Sequence, residues 1–211
     1  MTRVLLTGGS GFVASHILDI LLAHKHSVVT SVRSEEKAEG IKKAYPTATK
    51  DQLDFAIVPD IEPAGAFDEC IVSDPPFEAV IHSASPFHFN VINVKEDLLD
   101  PAINGTTNIL KAIKAHAPTV KSVVITSSFA SIVNVNLPRP ASAHTYSEKD
   151  WNPITQEESI QNPSNGYRAS KTFAERAAWE FVEKEKPNFT LSTVSRPRTV
   201  IEPHCFPLEQ R

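Results

Sequence analysis

The stretch Thr7-Gly8-Gly9-Ser10-Gly11-Phe12-Val13-Ala14 constrains this chain more than any other. It follows a short apolar run, Val4-Leu5-Leu6, and precedes an apolar-periodic segment from Phe12 to Leu22, a pattern that reads strand, glycine turn, helix. Glycine has no Cβ, so the backbone can turn tightly and lie against a pyrophosphate. The N–H groups of the first helical turn then face the phosphates, and the helix dipole favours their charge. Such a turn also serves plain strand–helix packing, so by itself it leaves nucleotide binding and packing both open.

The next segments narrow the choice. A helix is expected from Gly11 to about His24, with Phe12, Val13, Ile17, Ile20 and Leu21 on its inner side and Ser15, His16 and Asp19 mostly opposite. His24 and His26 lie near its end, where exposure or charge–dipole compensation explains them better than a metal. Ser27 to Val32, rich in β-branched residues, reads as a second strand. In a dinucleotide-binding fold, an acid at the end of this strand meets the ribose 2′-hydroxyl of NAD, whereas an arginine accommodates the 2′-phosphate of NADP. Here the chain reads Ser31-Val32-Arg33-Ser34-Glu35-Glu36-Lys37. Arg33 and Lys37 offer a donor fork and a second charge to a phosphate. The plain alternative is a solvated pair beside Glu35 and Glu36; with the glycine turn upstream, phosphate binding is the better reading.

Further along, a helix over 34–44 stops before Pro46, and Asp54 to Val58 reads as a third strand. Asp60, followed by Ile61, suits either an adenine amino group or the capping of its own turn. Residues 62–77 are proline-rich with one short helical piece from Phe67 to Val72. Ala79 to His82 is a fourth strand, running into Ser83-Ala84-Ser85-Pro86, small residues of the kind a cofactor needs to approach the backbone. His82 and His88 lack ligand partners at metal spacing, so no metal site is expected. A helix over 96–116 is expected to be interrupted by Pro101 and contains Asn104-Gly105. A fifth strand, Val120 to Thr126, ends in Ser127-Ser128; a loop from Phe129 to Asn165, with Pro138, Pro140, Pro153 and Pro163, exposes Tyr146 and Trp151. A helix from Tyr167 to about Glu183 and a sixth strand, Phe189 to Val194, follow. Strands and helices alternate, and the strands are apolar enough to be buried on both faces. The expected fold is α/β, a doubly wound parallel sheet of the Rossmann type.

Bulk properties set the boundaries. A length of 211 residues suits one good-sized domain. The net charge of −4 offers no broad basic field for nucleic acid or anionic lipid. The two cysteines, Cys70 and Cys205, are too few for a disulfide framework or zinc cluster. The N-terminus is too short in apolar run for a signal peptide and no segment reaches transmembrane length, so the expectation is a cytosolic chain without nucleic-acid or membrane partners. Oligomeric state is not legible.

Tyr167-Arg168-Ala169-Ser170-Lys171 supplies the chemistry. Tyrosine and lysine four apart on a helix share a face. A phenol titrates near 10, and a neighbouring ammonium favours phenolate, bringing proton transfer toward the working range. The same lysine can hold a nicotinamide ribose, and the Ser128 hydroxyl can orient a carbonyl. The set is an acid–base, a charge that tunes it and a polarising donor, beside a nicotinamide that supplies hydride.

Together, the glycine turn, His82-Ser83-Ala84-Ser85-Pro86, Asn104-Gly105-Thr106, Thr126-Ser127-Ser128 and Tyr167-Arg168-Ala169-Ser170-Lys171 resemble the extended short-chain dehydrogenases/reductases, of NAD-dependent epimerase/dehydratase type. The chain looks most like the branch with yeast NADPH-dependent methylglyoxal and ketone reductases and plant dihydroflavonol 4-reductases. Arg33-Ser34-Glu35-Glu36-Lys37-Ala38-Glu39, Ala84-Ser85-Pro86-Phe87 and Ala177-Ala178-Trp179-Glu180-Phe181 look especially like the yeast proteins.

The resemblance implies NADPH-dependent reduction of a ketone or aldehyde, with Tyr167 as proton donor, Lys171 as its partner and ribose ligand, and Ser128 as carbonyl binder. For NADP(H) it implies Gly8, Gly9, Ser10, Gly11, Phe12 and Val13 on the pyrophosphate, and Arg33 and Lys37 on the 2′-phosphate. It places Asp60 and Ile61 near adenine and Ser83, Ala84 and Ser85 along the cofactor. Asn104 is assigned to positioning the helix or a relay water.

The resemblance covers residues 1 to about 194. The family then continues into an Asn-Pro-x-x-Val-Phe-Gly-Pro-like segment and a smaller substrate lobe, whereas residues 195–211 hold three prolines and no periodicity. The expectation is a Rossmann domain over 1–194 with a divergent tail, a truncated product that binds NADPH weakly and turns over poorly. Alternatives are a catalytically dead NADP(H)-binding remnant, a regulatory dinucleotide sensor, which usually lacks the Tyr/Lys pair, and a sugar-nucleotide epimerase or dehydratase, which Arg33 argues against.

Overall fold

The computed structural model describes residues 1–85, 91–137 and 144–195. Six parallel strands form one sheet in the order β3-β2-β1-β4-β5-β6. They are β1 (Arg3–Thr7), β2 (Ser27–Val32), β3 (Leu53–Ile57), β4 (Ala79–His82), β5 (Ser122–Thr126) and β6 (Thr190–Val194). The helices are α1 (Phe12–Ala23), α2 (Glu35–Ala44), α3 (Asp100–His116), α4 (Gln156–Ser159) and α5 (Pro163–Glu185). This is the doubly wound Rossmann order, with the direction of winding reversing between β1 and β4.

Alternation along the strands explains the two cores. Leu5, Val29 and Val80 pack with Ile109, Leu110, Ile113 and Phe189 on one face. Leu6, Val28 and the half-buried Ile81 pack with Ala14, Leu18 and Ile41 on the other. Both faces are covered, so β2 is buried along its whole length.

Several local expectations are corrected. On α1 the buried positions are Ala14, Ser15 and Leu18, while Phe12 and Ile20 are 45% and 60% exposed. Ser15 is tolerated inside because its hydroxyl donates to the Phe12 carbonyl at 2.8 Å. Pro101 does not interrupt α3: it lies in the first turn, where a missing N–H costs nothing, after a π-turn over Lys95–Leu99. Residues 67–71 form turns rather than a helix. β3 begins one residue earlier than expected, and α5 begins at Pro163 because Asn162 caps it by accepting from Asn165 N.

The long connection after β5 is less open than its sequence suggests. It holds a 3-10 turn (Phe129–Ser131) and α4, which starts with a Thr155/Glu158 capping box. Tyr146 and Trp151 are half-buried rather than exposed. The Tyr146 ring meets Phe129 edge to face, and the Arg176 guanidinium sits 5.0 Å from the Trp151 ring centre. Asn152, 2% exposed, donates from its side chain to Ala130 O at 2.9 Å and from its backbone to Ser131 O at 2.8 Å. Pro86, Phe87, His88, Pro138, Pro140 and residues 196–211, with Cys205, lie outside the described residues.

Candidate active site

The sequence-derived site residues gather at the carboxyl ends of the strands, around the point where the winding reverses. The glycine turn follows β1. Gly8 has φ +76°, and its N–H and that of Gly9 both donate to Ser31 O at 3.0 Å, tying the turn to the end of β2. A Cβ on Gly8 would lie 2.9 Å from the Ala84 backbone, so the turn and the segment after β4 are in direct contact. α1 then begins with no side-chain cap at Gly11 and no acidic residue in its first turn, whereas Ser34, Thr155 and Asn162 cap α2, α4 and α5. Among the described residues no side chain caps the first amides of α1, which suits them to an external acceptor.

Thr7 locks this arrangement. Its hydroxyl oxygen accepts from Ser83 N at 3.1 Å and Ala84 N at 3.0 Å, which occupies both lone pairs. Its proton therefore goes to His82 Nδ1, 2.8 Å away, and the neutral ring must carry its own proton on Nε2. Nε2 is buried and has no hydrogen-bond partner among the described residues; the ring meets Phe67 edge to face. Burial, with a smaller contribution from the Lys171 charge, pushes the His82 pKa down to about 3. Among the described residues no group of three or more His, Cys, Asp or Glu is placed to hold a metal.

At the end of β2, Arg33 is exposed and Lys37 half-buried, and among the described residues no salt bridge ties either to Glu35 or Glu36. At the end of β3, Asp60 caps its own turn, its Oδ1 accepting from Glu62 N at 2.9 Å. Asn104 donates to Glu62 Oε1 at 3.4 Å.

α5 carries the expected proton donor, Tyr167, and its expected partner, Lys171. The Tyr167 hydroxyl lies 3.5 Å from Ser128 Oγ, and Lys171 Nζ donates to Ser85 Oγ at 3.0 Å. Tyr167 and Lys171 share one helix face, so this face reaches the ends of both β4 and β5. Desolvation of the Lys171 ammonium lowers its pKa to about 8.

One turn beyond Lys171, Glu175 is 7% exposed and was not singled out in the sequence. Its carboxylate accepts from Ser127, from Ser131 Oγ at 2.8 Å and from Thr193 Oγ1 at 2.8 Å. It fastens α5 to β5, the 3-10 turn and β6 at once. Its spacing of eight from Tyr167 and four from Lys171 was the available signal. Thr7 carried no such signal, because its partners come from β4.

The donor set fits a dinucleotide with a 2′-phosphate: a tight glycine turn, an uncapped helix start and two cations at the end of β2. A match to the NAD dependent epimerase/dehydratase family covers residues 4–204. The chain is 44% identical over 213 aligned residues to the putative NADPH-dependent methylglyoxal reductase GRP2 of Candida albicans, spanning 100% of this chain and 62% of that protein. It is 46% identical to the ketoreductase azaE of Aspergillus niger, over 92% of this chain and 56% of the other. The crystal structure of yeast methylglyoxal/isovaleraldehyde reductase Gre2 complexed with NADPH superposes with a TM-score of 0.85 at 39% identity, covering 92% of this chain and 57% of that one. The chain thus spans less than two thirds of the length of these relatives. On the strength of the family match and of a fold and residue pattern that agree with it, this chain belongs to the NAD dependent epimerase/dehydratase family.

Proposed function

We propose that this chain is the NADP(H)-binding and proton-transfer part of a reductase that converts a ketone or aldehyde to an alcohol. The observation that carries the reading is the Tyr167 hydroxyl 3.5 Å from Ser128 Oγ, on the helix face from which Lys171 reaches Ser85. The relatives' names, methylglyoxal reductase and ketoreductase, support a small carbonyl compound as substrate class. NADPH, when bound, supplies the hydride that adds to the carbonyl carbon.

The chain's own residues do the rest. The Gly8–Val13 segment meets the pyrophosphate with backbone N–H groups, with Ser10 at its exposed edge and Phe12 beside it. Arg33 and Lys37 hold the 2′-phosphate, Asp60 and Ile61 border the adenine, and Ser83, Ala84 and Ser85 line the path toward the nicotinamide. Ser128 donates a hydrogen bond to the carbonyl oxygen, and Tyr167 gives that oxygen its proton as the carbon gains hydride, which completes the alcohol. Lys171, one turn away, stabilises the negative charge that proton release leaves on the phenol.

Two measurements test this. Titration with NADPH and NADH is expected to show tighter binding of NADPH, and Arg33→Ala to remove most of that preference; equal affinities in the unmodified chain overturn the cofactor assignment. NADPH consumption with methylglyoxal is expected to be slow and to vanish in Tyr167→Phe while NADPH affinity is retained. A chain that binds NADPH but consumes none with any of a panel of carbonyls overturns the reductase role and leaves the binding role.

A further inference from the structure

We propose that Gly105 and Asn108, on α3, are positioning residues that set the loop 60–63 in place to receive the adenine end of the cofactor. The inference rests on the NADP(H) reading above and goes beyond it, because neither residue is among those assigned above to the cofactor or the carbonyl. After β3 the chain stays with the sheet through Val58, whose N–H donates to Val32 O at 2.8 Å, and then departs at Pro59. From there its carbonyls turn to one side chain of α3. Asn108, 7% exposed, points its Nδ2 at three successive carbonyls, Ile61 at 3.2 Å, Glu62 at 2.8 Å and Pro63 at 2.9 Å. A carboxamide nitrogen has two hydrogens, so three acceptors share them and the loop curls around that point.

One turn earlier, the backbone of α3 meets Ile61 directly. A Cβ on Gly105 would lie 2.5 Å from Ile61 Cδ1 and 2.9 Å from Cγ1, so any larger residue displaces the Ile61 side chain. Asn104 adds a bond to Glu62 Oε1, and the Asp60 carboxylate caps the same turn from outside. The segment thus leaves the sheet beside the end of β2, through the Val58–Val32 bond, and is then held by α3. A plain packing role would affect the whole domain evenly; a positioning role affects one end of the ligand.

The two halves of the cofactor separate these. The experiment measures affinity of the full chain for 2′,5′-ADP, the adenosine half, and for reduced nicotinamide mononucleotide, the other half, in the unmodified chain, in Gly105→Ala and in Asn108→Leu. Thermal melts verify folding, and Gly105→Ala, the milder change, keeps the test open where Asn108→Leu does not fold. Each variant is expected to weaken 2′,5′-ADP binding about tenfold, the equivalent of one lost charge-free hydrogen bond or contact, and to leave the nicotinamide half within about twofold. Folded variants that bind 2′,5′-ADP as the unmodified chain does, or that lose both halves equally, overturn the proposal alone. An unmodified chain that binds no 2′,5′-ADP overturns the cofactor assignment and this proposal with it.

Discussion

Replacing Gly9 with alanine isolates the contact that shapes the phosphate turn. A Cβ at this position would lie 2.0 Å from Thr30 Oγ1 and 3.0 Å from both Thr30 Cβ and Cγ2. Thr30 is fully buried, and its hydroxyl donates to Leu6 O at 2.9 Å, stitching β2 to β1 directly beneath the turn. The new methyl has two ways out. Lifting the turn strains a packed element at about 1–3 kcal/mol. Rotating Thr30 abandons a buried hydrogen bond at about 1–3 kcal/mol. Whichever route is cheaper, Gly9→Ala is expected to cost about 2 kcal/mol, read as a Tm loss of about 4–8 °C for a chain of this size.

Thr30→Ala removes Oγ1 and Cγ2 and is expected to cost about 1–2 kcal/mol by itself. Because it also removes the 2.0 Å approach and leaves only Cβ at 3.0 Å, the double variant should be at least about 1 kcal/mol more stable than the sum of the single effects. Urea denaturation of the four proteins supplies the cycle. Additive costs, or an unchanged Gly9→Ala midpoint, would refute the claim that the Gly9–Thr30 approach fixes the turn. A coupled loss accompanied by weaker NADPH binding would tie the same contact to the cofactor site.

Other consequences follow from buried groups. His82 is held at about 3 against an ordinary 6.5, so below pH 6.5 the unfolded ring takes up a proton that the folded one refuses. Stability therefore falls as pH drops through that window, by about 1.4 kcal/mol per unit from this residue; His82→Gln should show a shallower acid slope, and an identical slope would rule this out. Glu175→Ala, which removes the carboxylate that three hydroxyls surround, is expected to cost about 2–3 kcal/mol in urea unfolding, with Glu175→Gln milder; equal, small losses would show that the hub contributes little. Asn152→Ala removes the anchor under the 3-10 turn, and limited proteolysis between residues 132 and 151 should quicken while the global unfolding midpoint moves little.

The strand–helix order was legible because each element carries its own period: β2 and β4 occur where the β-branched runs placed them. Arg33, Tyr167, Lys171 and Ser128 could be singled out for a related reason, since the pattern that marks each as a candidate is local to one strand end or one helix face. The inward side of α1 was misread in part: Ile17 and Leu21 do pack on the core, but Phe12 and Ile20 are exposed and Ser15 is inside, because a serine that bonds its own helix backbone can be buried like an alanine. The 129–165 connection was read as open because Asn152 finds its partners some twenty residues back in the same connection and Trp151 finds its own on α5.

By itself, then, the sequence determined an α/β chain with a glycine turn, a cationic strand end and a Tyr/Lys face. Periodicity and residue type are properties of short stretches, and a short stretch suffices to reveal them. Only the tertiary structure decided what holds these stretches together. Thr7 clamps the end of β4, Glu175 gathers hydroxyls from three elements, and Asn108 collects three carbonyls of a loop more than forty residues away in sequence. Each is a common polar residue whose partner is set by the crossing of strands and helices, a juxtaposition that no local pattern encodes.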